Sequence, residues 1–205
     1  ILEKNFHLSY PFVFEANESQ YLLPESELAG EVALYKFEDF PFNPTKIKLL
    51  LKGEYFDSSL FFYNKLWYLF TTSSRGLEIF WSEDLINTEF QPHKKNPITN
   101  NPQHCRSAGA VFTINNKFFR PCQDCSNTYG ENINIMEIIE LSSSKYHEKE
   151  VQNHFFKTTT SRWNGGSGHH LSIVNFLDKH IIATDKKHDD MLINKYLSLF
   201  RMLQK

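Results

Sequence analysis

Apolar residues in this chain come in pairs of short runs. Four times, an apolar run is followed by a brief polar break and then a second apolar run. Pro11 to Phe14, a break over Glu15 to Gln20, and Tyr21 to Leu23 make the first unit. Leu60 to Tyr63, Asn64-Lys65 and Leu66 to Phe70 make the second, and Ala110 to Phe112, Asn115-Asn116 and Phe118-Phe119 the third. The fourth joins Leu171 to Val174 and His180 to Ala183 through a break around Asp178. Each unit predicts a β-hairpin, because aromatic and branched strand formers flank turn formers. The hairpins recur about every 50 residues, the span of one propeller blade.

Weaker runs complete the units. Val32 to Phe37 and Ile47 to Leu51 follow the first hairpin, Leu77 to Trp81 the second, and Ile133 to Leu141 and the stretch around Val151 the third. Four strands per unit is the blade of a β-propeller. Alternation is broken in several runs, as expected of strands buried on both faces between blades. A two-sheet sandwich also repeats hairpins, but at shorter intervals. The tail is different. Leu192, Ile193, Tyr196, Leu197, Phe200 and Leu203 form a helical stripe, with Asp189 and Asp190 placed to cap its N-terminus. The expected fold is all-β, a propeller over residues 1–188 followed by an amphipathic helix over 189–205.

Composition narrows the function. The 19 Phe beside 8 Gly suit strands packed face to face, and a net charge of −2 gives no basic excess to hold a nucleic-acid backbone. No apolar run is long enough to span a membrane as a helix. With three cysteines, a disulfide framework does not hold the fold together. Cys122 and Cys125 form a C-x-x-C pair near His104 and Cys105, but a zinc site needs a second spaced pair, so no metal is expected. Pairing of Cys105 with Cys122 or Cys125 stays open for an oxidising compartment. The sequence has no nucleophile elbow and no Gly-rich phosphate loop, and no cofactor is expected.

Blade geometry says where a site would form. Residues just before strand one and just after strand two of each blade meet on one face of a propeller. Those positions hold Ser9, Tyr10 and Glu25, then Asp57, then Arg106, Ser107, Arg120, Gln123 and Asp124, and finally His169, His170 and Asp185. Carboxylates, guanidinium groups and imidazoles so placed can grip a polyhydroxylated or anionic ligand. Tyr129 and Trp163 are candidate stacking platforms, although core packing is the commoner role for such rings. Glu25 and Asp57 could equally cap hairpin ends, and Arg120 could pair with Asp124.

Several runs resemble one family. HLSYPFVFE (His7 to Glu15), YLLPES (Tyr21 to Ser26), FEDFP (Phe37 to Pro41) and LWYLF (Leu66 to Phe70) resemble the N-terminal domain of plant glucosamine inositolphosphorylceramide transferases and bacterial sugar-formyltransferase-associated homologues. So do QPHKKNP (Gln91 to Pro97), the stretch from Cys105 to Gly130 with its RPCQDC core, and GHHLS (Gly168 to Ser172). The resemblance implies a five-bladed propeller of the kind shared with furanosidase-type glycoside hydrolases. A blade with an Asp-Pro-Phe opening precedes HLSYPFVF in that family and is not matched here, so the expected propeller lacks its first blade. An open propeller of that kind would call for self-association or a partner over the exposed blade edge. Two functions follow. One is a carbohydrate-binding propeller serving glycan or glycolipid synthesis or modification, with a sugar or glycolipid head group held by Arg106, Arg120, Gln123, Tyr129, His169 and His170. The other is a glycoside hydrolase-like enzyme using paired carboxylates from Glu25, Asp57 and Asp124.

Overall fold

The computed structural model describes residues 2–155, 168–176 and 179–185. Strands β1 (Ser9–Ala16), β2 (Ser19–Glu25), β3 (Glu31–Asp39) and β4 (Phe42–Lys52) form one antiparallel sheet in sequence order. A single 3-10 turn, Glu27–Ala29, links β2 to β3. The second sheet is β5 (Phe56–Tyr63), β6 (Leu66–Ser73), β7 (Gly76–Ser82) and the short β8 (Gln91–Pro92). In the third, the inner strand is split into β9 (Arg106–Ser107) and β10 (Phe112–Ile114). Both pair with β11 (Lys117–Asp124), which is followed by β12 (Asn132–Leu141) and β13 (Tyr146–Gln152). The hairpin β14 (Leu171–Phe176) and β15 (Lys179–Thr184) begins a fourth sheet.

The sheets are propeller blades. Their inner strands approach one another in cyclic order, β1 beside β5 and β5 beside β9. The amide of Leu171 donates to Ala108 O at 2.6 Å between the third and fourth blades. Tyr10 of the first blade meets the His170 ring ahead of β14 edge-on at 4.9 Å, which brings the fourth back to the first. Gly109 shows how tight this packing is. Its φ is 152°, and a Cβ there would lie 1.9 Å from Leu171 O.

Broken alternation in the sequence has its cause here, since β2, β3, β5, β6, β7, β11 and β12 bury both faces. Tyr21, Leu23, Val32, Leu34 and Leu50 of the first blade pack on Leu60, Leu69 and Phe80 of the second. The other face of the second blade, Tyr68, Phe70, Leu77 and Ile79, packs on Ile138, Leu141 and Tyr146 of the third. Ala108, Ile133 and Ile135 then pack on Leu171 and Ile182. The architecture is the expected all-β propeller. The helix expected over 189–205 and the platform residue Trp163 lie outside the described residues.

Candidate functional site at the axial mouth

The inner strands of the first two blades open alike. In β1, Ser9 pairs with Glu25 and the next pair is Phe12 with Leu23. In β5, Phe56 pairs with Thr72 and the next pair is Ser59 with Phe70. Each bulge holds a residue in the left-handed region, Tyr10 at φ 44° and Asp57 at φ 49°. Positive φ is uncommon outside glycine, and bulges turn side chains away from the regular pleat. Tyr10 therefore reaches His170, and Asp57 reaches the third blade.

Asp57 is the hub of the site. Its Oδ2 accepts from Arg106 Nε at 2.7 Å and from Gln123 Nε2 at 3.1 Å. Gln123 also donates to Ser107 O at 2.8 Å, which fixes its amide. The Asp57 amide donates to Glu25 Oε2 at 3.0 Å, and Ser9 Oγ donates to Glu25 Oε1 at 2.8 Å. Burial raises the Asp57 carboxyl to about 6; Arg106 opposes that rise and Glu25 adds to it. The Arg106 guanidinium lies 4.8 Å from the Tyr129 ring centroid and 5.3 Å from that of Phe56. Tyr129 is 50% exposed, and its ring sits 5.3 Å from the His169 imidazole. Gly130 permits this approach, because a Cβ at its φ of 64° would come within 2.7 Å of His169 Cβ.

On the fourth blade, the Asp185 carboxylate pairs with His169 Nδ1 and accepts from the His169 and His170 amides at 3.0 and 2.7 Å. The hydrogen bond that His169 donates to Asp185 raises the His169 pKa, whereas burial lowers that of His170. The result has two layers. Asp57, Gln123 and Ser107 are buried below, and Tyr129, His169, Arg106 and Glu25 form a partly exposed mouth above.

Two expected site residues are not in this cluster. Arg120 is 1% exposed, and it donates to both carboxylate oxygens of Glu148 at 2.8 and 2.7 Å and to His104 O at 2.9 Å. Its polar neighbours in RPCQD look like a strand exit, but β11 continues to Asp124, so Arg120 lies mid-strand on the face turned to the second blade. Its partner is Glu148 rather than Asp124. Asp124 alternates with Gln123 along β11 and points away from Asp57. It accepts from the Ser126 amide at 3.0 Å and contacts His154 Nε2 at 3.2 Å. Burial works to raise its carboxyl, but hydrogen bonds from Ser126 and His154 outweigh that and hold it below the usual range. Glu25 and Asp57 thus come together without Asp124. Of the two rings against Arg106, Tyr129 was an expected platform and Phe56 was not, although an aromatic directly before Asp57 was the available signal for it.

The cysteines are free thiols, with Cys122 buried and pushed up to about 12 by that burial. Among the described residues no group of three or more His, Cys, Asp or Glu could hold a metal. Purified protein is expected to carry no stoichiometric zinc, and a chelator should leave its melting temperature unchanged. One zinc per chain, lost together with stability, would overturn that expectation.

The architecture is shared with the five-bladed propellers of family-43 glycoside hydrolases. A family-43 enzyme from Xanthomonas citri, solved with xylotriose, superposes with a TM-score of 0.64 at 7% identity, covering 88% of this chain and 67% of that one. An endo-arabinase from Bacteroides thetaiotaomicron gives 0.61 at 14% identity, covering 90% and 72%. At such identities the likeness is one of fold. The sequence is more specific. Residues 1–186 match the family described as glucosamine inositolphosphorylceramide transferase 1, N-terminal, and the chain belongs to that family. It is 34% identical over 187 residues to glucosamine inositolphosphorylceramide transferase 1 of Arabidopsis thaliana, a match covering 84% of this chain and 24% of that protein. The enzyme of the same name from Oryza sativa subsp. japonica is 34% identical over 182 residues, 83% of this chain. The chain spans about a quarter of the length of these curated relatives.

Proposed function

We propose that the axial mouth binds a sugar or a glycolipid head group, and that the domain serves glycan or glycolipid synthesis or modification as a binding module. One observation carries this reading. A half-exposed Tyr129 ring is backed by the Arg106 guanidinium and flanked by His169, above converging carboxylates. Sugar rings stack their C–H faces on such aromatics, and their hydroxyls donate to carboxylates. The family's transferase name and the xylotriose-bound neighbour support a carbohydrate ligand.

Hydrolysis needs two carboxyl groups facing each other across the bond, roughly 5–9.5 Å apart. Glu25 and Asp57 instead lie within hydrogen-bonding reach of each other, through the Asp57 amide and through their side chains, and Asp57 is already engaged by Arg106 and Gln123. That arrangement favours binding without turnover. Among the described residues no helix is long and apolar enough to cross a membrane. The test titrates neutral pyranosides and furanosides against wild type and Tyr129→Ala, beside a turnover assay. Saturable binding without product is expected. The variant should fold normally and bind about fivefold to tenfold more weakly. Steady product release by wild type, or equal affinity in the variant, would contradict the reading.

A further inference from the structure

The geometry points to Cys105 and Cys125 as a thiol pair that closes to a disulfide and braces the Arg106 and Gln123 side of the axial mouth. The pair stands whether or not the mouth takes a sugar. Arg106 is registered with Gln123 where β9 meets β11. Cys105 lies one residue before that pair and Cys125 two residues after it. One more step of the register sets Cys105 opposite Asp124 and next to Cys125, a spacing within the about 4.4–6.8 Å between Cα atoms that a disulfide spans. A single turn ahead of β9 holds both segments. The Cys105 amide donates to Asn101 O at 2.8 Å, and the Cys125 amide donates to Pro102 O at 2.9 Å. Burial raises the Cys105 thiol most, and the charge of Cys125 raises it next.

Cys122 is not the partner. It is fully buried, its Sγ donates to Asn134 O at 3.4 Å on β12, and burial pushes its thiol up to about 12. Disulfide exchange needs an accessible thiolate, which Cys122 lacks and the half-buried Cys105 and Cys125 supply. The Cys125 thiol also donates to Gln123 Oε1 at 3.9 Å, and the Gln123 amide donates to Asp57. The pair therefore adjoins both donors that hold Asp57. Its oxidant is a low-molecular-weight disulfide, such as that of glutathione. One cysteine thiolate attacks a sulfur of that disulfide and expels a glutathione thiolate. The other then attacks the protein sulfur of the mixed disulfide and expels the second. Two protein thiols give up two protons and two electrons, and one glutathione disulfide becomes two thiols.

The experiment compares protein equilibrated with glutathione disulfide in excess over glutathione with protein kept in dithiothreitol. Of the three cysteines, only Cys122 should remain open to alkylation in denaturant after oxidation, and peptide mapping should link Cys105 to Cys125 within one chain. The oxidised form should melt roughly 5 °C or more higher. Amide exchange at Arg106 and Gln123 should slow by at least about threefold. Cys125→Ser should abolish the link, the melting shift and the slowing, with a reduced-state Tm within about 2 °C of wild type. All thiols still free after equilibration, glutathione adducts in place of a link, or a link through Cys122 would overturn the pair. A Cys105–Cys125 link that leaves both melting and exchange unchanged would overturn the bracing.

Discussion

Replacing Glu148 with alanine will destabilise the protein by about 3–5 kcal/mol, the cost of stranding a buried charge. Arg120 is among the most deeply buried large side chains, at 1% exposure, and Glu148 takes both of its paired hydrogen bonds. Tyr146 supports the carboxylate with a 2.5 Å hydrogen bond from its hydroxyl. Burial alone would raise the Glu148 carboxyl, but the Arg120 charge and hydrogen bond pull it down, so the pair stays ionised. Arg120 Nη1 already has no partner, and the substitution would strip two more hydrogen bonds from the same group. Denaturant melts should show the loss directly, with a fall in Tm of roughly 10 °C or more. Joint replacement of Arg120 and Glu148 by Met and Leu should recover much of it, since a packed apolar pair removes the stranded charge. A loss below about 1 kcal/mol for Glu148→Ala would mean that the pair is open to water.

The second large effect is one of pH. Asp57 has its carboxyl raised from 3.8 to about 6, chiefly by burial. The folded state thus holds a proton that the unfolded state has released over this interval. Its contribution to stability is full below about pH 4, falls as pH rises towards 6, and is flat above. The difference amounts to about 3 kcal/mol, taking roughly 1.36 kcal/mol per pH unit. Asp124, Asp185 and Glu148 are shifted downward and act in the opposite sense, so wild type alone mixes the two trends. Asp57→Asn isolates the one group. Relative to wild type, the variant should gain up to about 3 kcal/mol as pH rises from 4 to 7. A difference between the two proteins that does not change with pH would show that Asp57 titrates as an ordinary carboxyl.

The hairpins were legible because each apolar pair brackets a turn that the backbone needs. Asn64-Lys65 and Asn115-Asn116 all adopt positive φ between their strands, a conformation that Asn tolerates. Blade contacts were legible too, since runs such as Leu66 to Phe70 bury both faces rather than one. The residues placed at strand ends include Glu25, Asp57, Arg106, Gln123 and His169, which the fold brings near one another. The same rule failed for Arg120 and Asp124, because it needed the strand boundary and the strand parity. A charged residue after two phenylalanines looks like an exit, and nothing local reveals a Glu148 partner 28 positions later. The bulge that turns Tyr10 is likewise invisible in composition, since tyrosine is not a usual occupant of the left-handed region; Asp57 is a residue type that tolerates it, but nothing beside it marks the bulge.

The most direct test of the account follows backbone amide and Arg side-chain NMR signals while a neutral glycoside is added. Saturable shifts are expected at Glu25, Arg106, Tyr129, Gly130 and His169, around the axial mouth. The cleft of about 290 Å³ lined by Tyr63, Lys117, Phe118 and Glu137 lies at the opposite strand ends and should stay silent. Shifts confined to that cleft, with the mouth unmoved, would contradict the assignment of the site.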